Sequence, residues 1–568
     1  MIKDMKWWGW GDPAFVFPMD EKPLLWPFIQ KTLGLAADCK KTPPVDRASI
    51  KLPEARANAE FVRVISAILK PAQIATDDEQ RLIHTYGKSF PDLYRVRRGI
   101  VNNAPDMVLF PESHADVEKI VAAAQKAGVR VVPFGGGTNI VGGVEHLDAS
   151  AMRVTLDMRR MVRVLDLDKD SWTATLEAGL PGPKLEEELN ARGYSLGHMP
   201  DSFEFATLGG WLATRSAGMQ SDAYGKIEDM VVSLKMVSPE GTIATRLTPK
   251  SSAGPDLDQL IVGSEGTLGV ITEAVMKIHP LPAVKDYHGV LFRDFESGAA
   301  AIHEAICRNA SPTMFRLQDA AETGLAFSMR APSTGFTGFV QRQVKKYLAR
   351  RGYTQPCLMM AGFEGEPEYV REMLSKVLPI TKKHGGFHLG NSVGKTWSKN
   401  KFAVPYLRDI LMNHGCMVDV AETAAVWSKL MPLYHAARKA VQAQFEKEGY
   451  PGYIGCHISH SYIDGASLYY TFASKQVEGQ EIEQYYRFKR LITEAFMQNG
   501  GTLTHHHAVG YEHRPWLEQE VTRPGLTALR GLKKALDPDG IMNPGKLLRA
   551  ESEAPTPAST TPFETKPK

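Results

Sequence analysis

Pro133-Phe-Gly-Gly-Gly-Thr-Asn139 decides the fold. It continues a β-branched run, Val129–Pro133, that reads as a strand. That run in turn follows Ala115–Gly128, whose apolar residues recur at helical spacing and stop at a glycine. Three glycines without Cβ atoms let backbone N–H groups close on an anion, and Thr138 and Asn139 add side-chain donors, so a diphosphate is the natural guest. The loop lacks the spacing of GxGxxG before a helix, and it is not a Walker A loop. The nearest imitation of the latter, Gly390-Asn-Ser-Val-Gly394-Lys-Thr396, is one residue too short. Taken alone, the triple glycine reads equally well as a tight turn.

It does not stand alone. Working outward, Met152–Met158, Trp172–Gly179, Met230–Ser238 and Val270–Ile278 read as strands, with Pro183–Arg192 helical between them. Loops rich in glycine and hydroxyls punctuate them: Pro200–Gly210 (PDSFEFATLGG), Thr214–Gly218, Tyr224–Asp229 and Gly263–Gly269 (GSEGTLG). Beyond 283 a second pattern begins. Strand-like Gly289–Phe292, helical Glu296–Asn309 and strand-like Met314–Gln318 form one unit. Cys357–Phe363, helical Pro367–His384 and a strand near Cys416–Ala421 form another, which suggests a ferredoxin-like or similar split βαβ sheet. The expected organisation is a mainly helical region over 1–100, a cofactor domain over 101–282, a substrate cap over 283–500, a C-terminal active-site segment over 501–548 and a disordered Pro/Ser/Thr-rich tail over 549–568.

Composition narrows the class. The chain has 568 residues, 43% of them hydrophobic, and a formal net charge of +3. That balance excludes a strongly basic nucleic-acid binder, so no nucleic-acid partner is expected. The 5 cysteines are scattered and form no CxxC, which fits neither a disulfide scaffold nor a zinc ribbon and suits a reducing compartment. The start MIKDMKWWGWGD has no apolar core of a secretory signal, no run is long enough to span a membrane, and the end is not of the Ser-Lys-Leu type. A cytoplasmic or membrane-peripheral location is expected.

The glycine loop, the PDSxExxTxGG segment and GSEGTLG together resemble the vanillyl-alcohol-oxidase/PCMH superfamily of FAD-binding enzymes. The resemblance implies an α+β fold: a PCMH-type, two-subdomain FAD-binding domain with an inserted α/β, ferredoxin-like substrate cap. It implies that Pro133, Phe134, Gly135, Gly136, Gly137, Thr138 and Asn139 hold the FAD pyrophosphate. Asp201, Ser202, Thr207, Thr214, Arg215, Ser216, Ala217, Glu265, Gly266, Thr267, Leu268, Gly269 and Ile271 would wrap the rest, with His198 at the flavin. Some members attach FAD through a histidine in the first loop. Residues 134–143 contain neither His nor Cys, so noncovalent FAD is expected.

Within that superfamily the chain resembles the alkyldihydroxyacetonephosphate synthase family over nearly its whole length. The residues that carry this are Pro200–Arg215, Tyr224–Asp229, Phe315-Arg-Leu317, Tyr406-Leu-Arg-Asp409, Asp464-Gly-Ala466 with Tyr469, and Thr504-His-His-His-Ala-Val-Gly510. The resemblance implies exchange of the acyl group of acyl-dihydroxyacetone phosphate for a long-chain fatty alcohol. FAD would act as an electron sink, and a base would take a proton from the carbon bearing the ester oxygen. Tyr469 is the implied acid/base, His505, His506 and His507 the catalytic histidine cluster, and Arg408 and Arg316 the substrate-binding cations. A tyrosine with an ordinary pKa near 10 needs a partner for its proton, and a histidine suits. In an extended segment His505 and His507 would face one way and His506 the other, which argues against one metal held by all three. No metal is expected. Where the family has an Asn-Arg-Asn-Leu-Leu type segment, this chain has Asn543-Pro-Gly-Lys-Leu-Leu548.

Phe336, Phe339, Val340, Val344, Tyr347 and Leu348 recur at near-helical spacing among Arg342, Lys345, Lys346, Arg350 and Arg351. The stretch 336–351 reads either as a basic amphipathic helix for a membrane surface or as an ordinary half-buried cap helix. A homodimer is also expected. Two other functions remain open on the sequence. One is an FAD-linked oxidase or dehydrogenase of a 2-hydroxy acid such as D-lactate or glycolate, although the His-Gly-Asp-Gly-Asn-like stretch of such enzymes is absent. The other is a flavin-binding protein without catalysis.

Overall fold

A computed structural model describes residues 4–39, 41–331 and 335–549, with the backbone alone at 336–338, 340 and 341. Most of the tail expected to be disordered lies outside these residues. The helix His114–Ala127 is capped by Ser113 and closed by Gly128 in the left-handed region, and it delivers the chain into the strand Arg130–Phe134. That strand pairs parallel with Arg153–Asp157, which pairs parallel with Met107–Leu109; Ile74–Ala75 is added antiparallel at the edge. A second, antiparallel sheet has the order Val164–Asp168, Thr173–Glu177, Val270–Lys277, Val231–Ser238, Gly241–Ala244. The glycine loops sit on the connections of these two sheets.

The cap is one antiparallel sheet of seven strands. Val284–Phe292, helix Phe295–Cys307, Met314–Gln318, Cys357–Gly365, helix Pro367–Lys383 and Phe387–Gly390 form a complete βαββαβ unit in the spatial order 4-1-3-2, a ferredoxin-like sheet. The sequence expectation closes this unit with the strand near Cys416–Ala421. The structure closes it with Phe387–Gly390 instead, a strand too short to leave a periodic signal. Cys416–Val426 opens a second, partial unit, continued by helix Trp427–Glu448, strands Gly452–Ser461 and Gly465–Lys475, and helix Glu481–Gln498. The two units join where Met314–Gln318 pairs with Gly452–Ser461.

Helices cover one face of this sheet and bury Ile302, Val377, Leu433, Val441 and Phe488 against it. Tyr470 points into that core and is fully buried. The opposite face looks toward the glycine loops.

The C-terminal piece then returns to the first sheet. Met542 bridges Val131 in parallel, Val131 N–H donates to the Ile541 carbonyl, and Asn543 N–H donates to the Val131 carbonyl. The first hundred residues hold short helices at Leu25–Leu33, Ala59–Ile68, Asp78–Ile83 and Phe90–Arg97, joined by extended chain. They are more than packing: Trp10, Phe15, Phe17 and Phe28 reach the central cavity.

Candidate active site

The first two glycines of the 135–137 loop face a wall of backbone and side chain. A Cβ at Gly136 would lie well inside 3.0 Å of the Phe205 carbonyl oxygen, and one at Gly135 equally close to Thr207 Oγ1. Gly137 has φ +65°. The loop therefore presses against the Pro200–Gly210 segment and presents its own backbone to a cavity of about 870 Å³. Asn139 lines the cavity, but its Oδ1 accepts from Val141 N–H at 3.0 Å and Gly143 N–H at 2.6 Å, so its oxygen shapes the loop.

Pro133, Phe134, Thr138, Asp201, Ser202, Thr207, Thr214, Ser216, Ala217, Glu265, Gly266, Gly269 and Ile271 all line this part of the cavity. Four expected cofactor contacts do not. Arg215 turns away to bind the Gln259 and Val262 carbonyls. His198 lies behind Ser216, with Nε2 at 3.2 Å from its hydroxyl. Leu268 packs into the core, and Thr267 Oγ1 donates back to the Ser264 carbonyl. Glu265 accepts from Val509 and Gly510 N–H at 2.8 and 2.7 Å and so ties the C-terminal segment to the loop; burial pushes its pKa up to about 7. Asn543 bridges the Gly143 and Glu265 carbonyls from the other side.

These residues fit a bound FAD. Trp211 Nε1, Ser264 Oγ and Asn543 Oδ1 belong to cavity-lining residues, are buried, and have no hydrogen-bond partner among the described residues. Beside bare loop amides, such unmatched donors and acceptors are the complement of a large polar ligand.

The cap sheet forms the facing wall. Every second residue of its strands points into the cavity: Arg316 and Gln318, Val418 and Val420, His457 and Ser459, Tyr469 and Thr471. Glu422, Tyr469, His457 and Gln318 stand opposite one another across four neighbouring strands and form one polar row.

Glu422 organises the histidine segment. Its carboxylate accepts from the N–H groups of His505, His506 and His507 at 2.7, 3.1 and 3.0 Å, and from the Thr504 hydroxyl at 2.5 Å. Burial alone would raise the Glu422 pKa. The His506 and His507 rings and these donors outweigh burial and hold it well below the carboxylate norm. Because three consecutive N–H groups converge on one carboxylate, the segment curls and is not extended. The expected alternation is thereby replaced: His506 and His507 both face Tyr469, with ring centroids at 5.9 and 5.3 Å. His505 turns aside to Tyr462, with Nε2 at 2.7 Å from its hydroxyl, and does not line the cavity.

His460, His505 and His506 do place three ring nitrogens within 4.8 Å of one another. The Lys226 ammonium, which donates to the His505 carbonyl at 2.7 Å, opposes a cation there.

Burial pushes the Tyr469 pKa well above its usual value; Asp201 adds to this and Arg316 opposes it. The phenol is a proton donor at neutral pH.

Arg408 lines the cavity and forms no hydrogen bond or ion pair among the described residues. Its neighbour Asp409 is claimed instead by Lys6 Nζ at 3.3 Å and Trp10 N–H at 3.0 Å. The Trp-rich start of the chain thus straps the helix Leu407–Asn413 and leaves its arginine free. Among the described residues Arg316 likewise forms no ion pair, and its guanidinium makes a single hydrogen-bond contact, with His457 Nδ1 at 3.5 Å. Two unpaired guanidinium groups on one cavity suit a phosphate dianion. Arg408→Ala should raise KM for a phosphate-bearing substrate by about 10- to 100-fold with flavin content unchanged, which steady-state kinetics and the flavin spectrum check. Another part of the wall is apolar, formed by Phe17, Phe28, Ile29, Leu33, Leu325 and Met329.

Sequence reasoning missed Glu422, His457 and the N-terminal strap. Acidic residues in an otherwise mostly apolar strand (Asp419 and Glu422 in CMVDVAETAAV) were the available signal for the first. Only strand register reveals the second.

Known proteins agree with this geometry. Residues 105–246 match the FAD binding domain model, and residues 281–547 match the model for FAD linked oxidases, C-terminal domain. The chain is 41% identical to alkyldihydroxyacetonephosphate synthase of Dictyostelium discoideum, over 96% of this chain and 94% of that one. It is 38% identical to the Trypanosoma brucei brucei protein of the same name, over 98% and 95%. A solved structure of an alkyldihydroxyacetonephosphate synthase superposes with a TM-score of 0.81 at 39% identity, covering 95% of this chain and 98% of that one. FAD is the cofactor, the fold is a PCMH-type FAD-binding domain with an FAD-oxidase cap, and the chain belongs to the alkyldihydroxyacetonephosphate synthase family.

Proposed function

We propose that this enzyme makes ether lipids. It replaces the acyl group of acyl-dihydroxyacetone phosphate with a long-chain fatty alcohol, giving alkyl-dihydroxyacetone phosphate and a free fatty acid without net redox change. The observation that carries this reading is one cavity that joins two unpaired arginines, an apolar wall and the polar row around Tyr469. FAD, when bound, supplies an electron-accepting ring beside the substrate. The chain's own groups do the rest. Arg408 and Arg316 hold the phosphate, and Tyr469 donates a proton toward the departing carboxylate. His506 and His507, fixed by Glu422, orient the phenol, and the apolar wall holds the alkyl chain away from water.

A 2-hydroxy acid dehydrogenase is the weaker reading. Such small substrates leave the apolar wall without a purpose, and the relatives named D-lactate dehydrogenase and glycolate oxidase are less similar, at 29% and 26% identity against 41% and 38% for the synthases. Anaerobic titration separates the two. The flavin should keep its oxidised spectrum through millimolar D-lactate or glycolate, and bleaching would favour the dehydrogenase.

The FAD is held noncovalently on this reading, since 134–143 offers no His or Cys. Acid precipitation should leave all the yellow colour in the supernatant. Contact with a membrane surface also belongs to the proposal. In the helix Gly335–Arg350, Phe339, Val344 and Tyr347 are exposed beside Arg342, Lys345 and Lys346, whereas Leu348 is buried. The side chains of Phe336 and Val340 lie outside those described. Among the described residues no helix is long and apolar enough to cross a membrane. Vesicles containing anionic lipid should float the protein, and Lys345→Glu with Lys346→Glu should halve recovery or worse.

A further inference from the structure

His457 is not in the histidine triplet, yet it stands directly opposite Tyr469 on the neighbouring strand. The two rings stack with centroids 4.8 Å apart and 22° between their planes. On its other side His457 pairs with Gln318 across the join of the two cap units, so its backbone is held by strands on both flanks. Nδ1 lies 2.9 and 3.1 Å from the two carboxylate oxygens of Glu322, at the start of the helix Ala320–Ser328.

Glu322 is the close partner of Nδ1, since the Arg316 guanidinium stands farther off at 3.5 Å, and a carboxylate there fixes the tautomer: Nδ1 carries the proton, and Nε2 keeps its lone pair. Nε2 makes no hydrogen bond among the described residues and is not among the sealed-off polar atoms, while the residue lines the cavity. Burial lowers the His457 pKa, Arg316 acts in the same sense, and Glu322 opposes both, so the ring is neutral and ready to accept. The triplet lacks this orientation: His505 is tied to Tyr462, and Nδ1 of His506 and of His507 lies 3.5 and 3.7 Å from the nearest Glu422 oxygen, beyond the 2.9 Å at which Glu322 holds His457.

We propose that Nε2 of His457, oriented by Glu322, is the base that removes the proton from the substrate carbon bearing the ester oxygen. The inference rests on the transferase reading above. The carbon–hydrogen bond breaks and the proton moves to Nε2. The electron pair enters the adjacent ketone, giving an enolate whose oxygen carries the charge. The positive charge gained by the ring is balanced by Glu322 at Nδ1. Tyr469, still protonated, remains free to serve the leaving carboxylate. One cross-strand pair thereby supplies both the base and the acid. Glu322 is a positioning residue, since it acts through the ring.

The test is deuterium uptake. Holoenzyme in D2O is incubated with palmitoyl-dihydroxyacetone phosphate, and incorporation at the ester-bearing carbon is followed by mass spectrometry. Ether formation from hexadecanol is measured in parallel. The wild type should take up deuterium and make ether. His457→Asn should lose both by more than about 100-fold with its flavin spectrum and substrate KM kept. Glu322→Gln should lower kcat about tenfold at unchanged KM, and it carries the test if His457→Asn fails to retain flavin. Deuterium uptake within threefold of wild type in the flavin-bound His457→Asn protein, or an unchanged kcat in Glu322→Gln, would overturn the assignment while leaving the transferase intact. A wild-type protein that makes no ether would overturn the transferase reading and this inference with it.

Discussion

Glu422→Gln should lower kcat by about 100-fold while the protein still binds FAD. The carboxylate is the single acceptor for three consecutive N–H groups and one hydroxyl, and it lies buried in the strand beside Tyr469. An amide of the same shape offers one oxygen and one NH2, so at least one N–H meets a donor in place of an acceptor. Leaving a buried donor unmatched costs about 1–3 kcal/mol, and removing a buried charge from its partners costs more. The segment 504–507 then relaxes, and His506 and His507 lose their places against the phenol. A displacement of about 1 Å is enough to cost two orders of magnitude in rate. Thermal unfolding should also fall, by the equivalent of about 2–3 kcal/mol. A kcat within threefold of wild type would show that the histidine segment holds its shape without the carboxylate.

Gly136→Ala should abolish flavin binding. The added methyl would collide with the Phe205 carbonyl, and a peptide group inside a packed loop cannot swing aside as a side-chain end does. Either the 135–137 loop retreats from the cavity or the Pro200–Gly210 segment moves. Both carry cofactor contacts, so the absorbance of purified protein near 450 nm should drop by more than about tenfold; a loss of only 1.4 kcal/mol in binding is already tenfold in affinity. Gly531→Ala is the matched control, because a Cβ there meets nothing within 4 Å and the position is helical. It should stay yellow. Full flavin content in Gly136→Ala would mean that this loop does not cradle the cofactor.

Most of the cofactor half was legible from local signals. Glycine runs, a helix stop at Gly128 and β-branched strands act over a few residues, and the strand Arg130–Phe134 and helix His114–Ala127 fall within a residue or two of their expected positions. The cap was legible as alternating strands and helices. Its pairing was not, because the strand Phe387–Gly390 is short and strand order is set by non-local contacts. The same limit governs the site. Tyr469 and the triplet stand out as residues. That Tyr469 faces His457 depends on register between two strands, and that His506 and His507 share a side depends on an acid some eighty residues upstream. Arg215 and His198 show the converse: both sit in informative motifs, yet Arg215 turns to the Gln259 and Val262 carbonyls and His198 stands behind Ser216, so neither lines the cavity.

The claim that all of this serves ether formation is tested most directly by anaerobic incubation of the yellow protein with palmitoyl-dihydroxyacetone phosphate and hexadecanol, followed by mass spectrometry. Hexadecyl-dihydroxyacetone phosphate and free palmitate should appear in equal amounts with the flavin oxidised at the end, and Tyr469→Phe should yield neither. Absence of the ether, with the flavin reduced by D-lactate or another 2-hydroxy acid, would contradict the account.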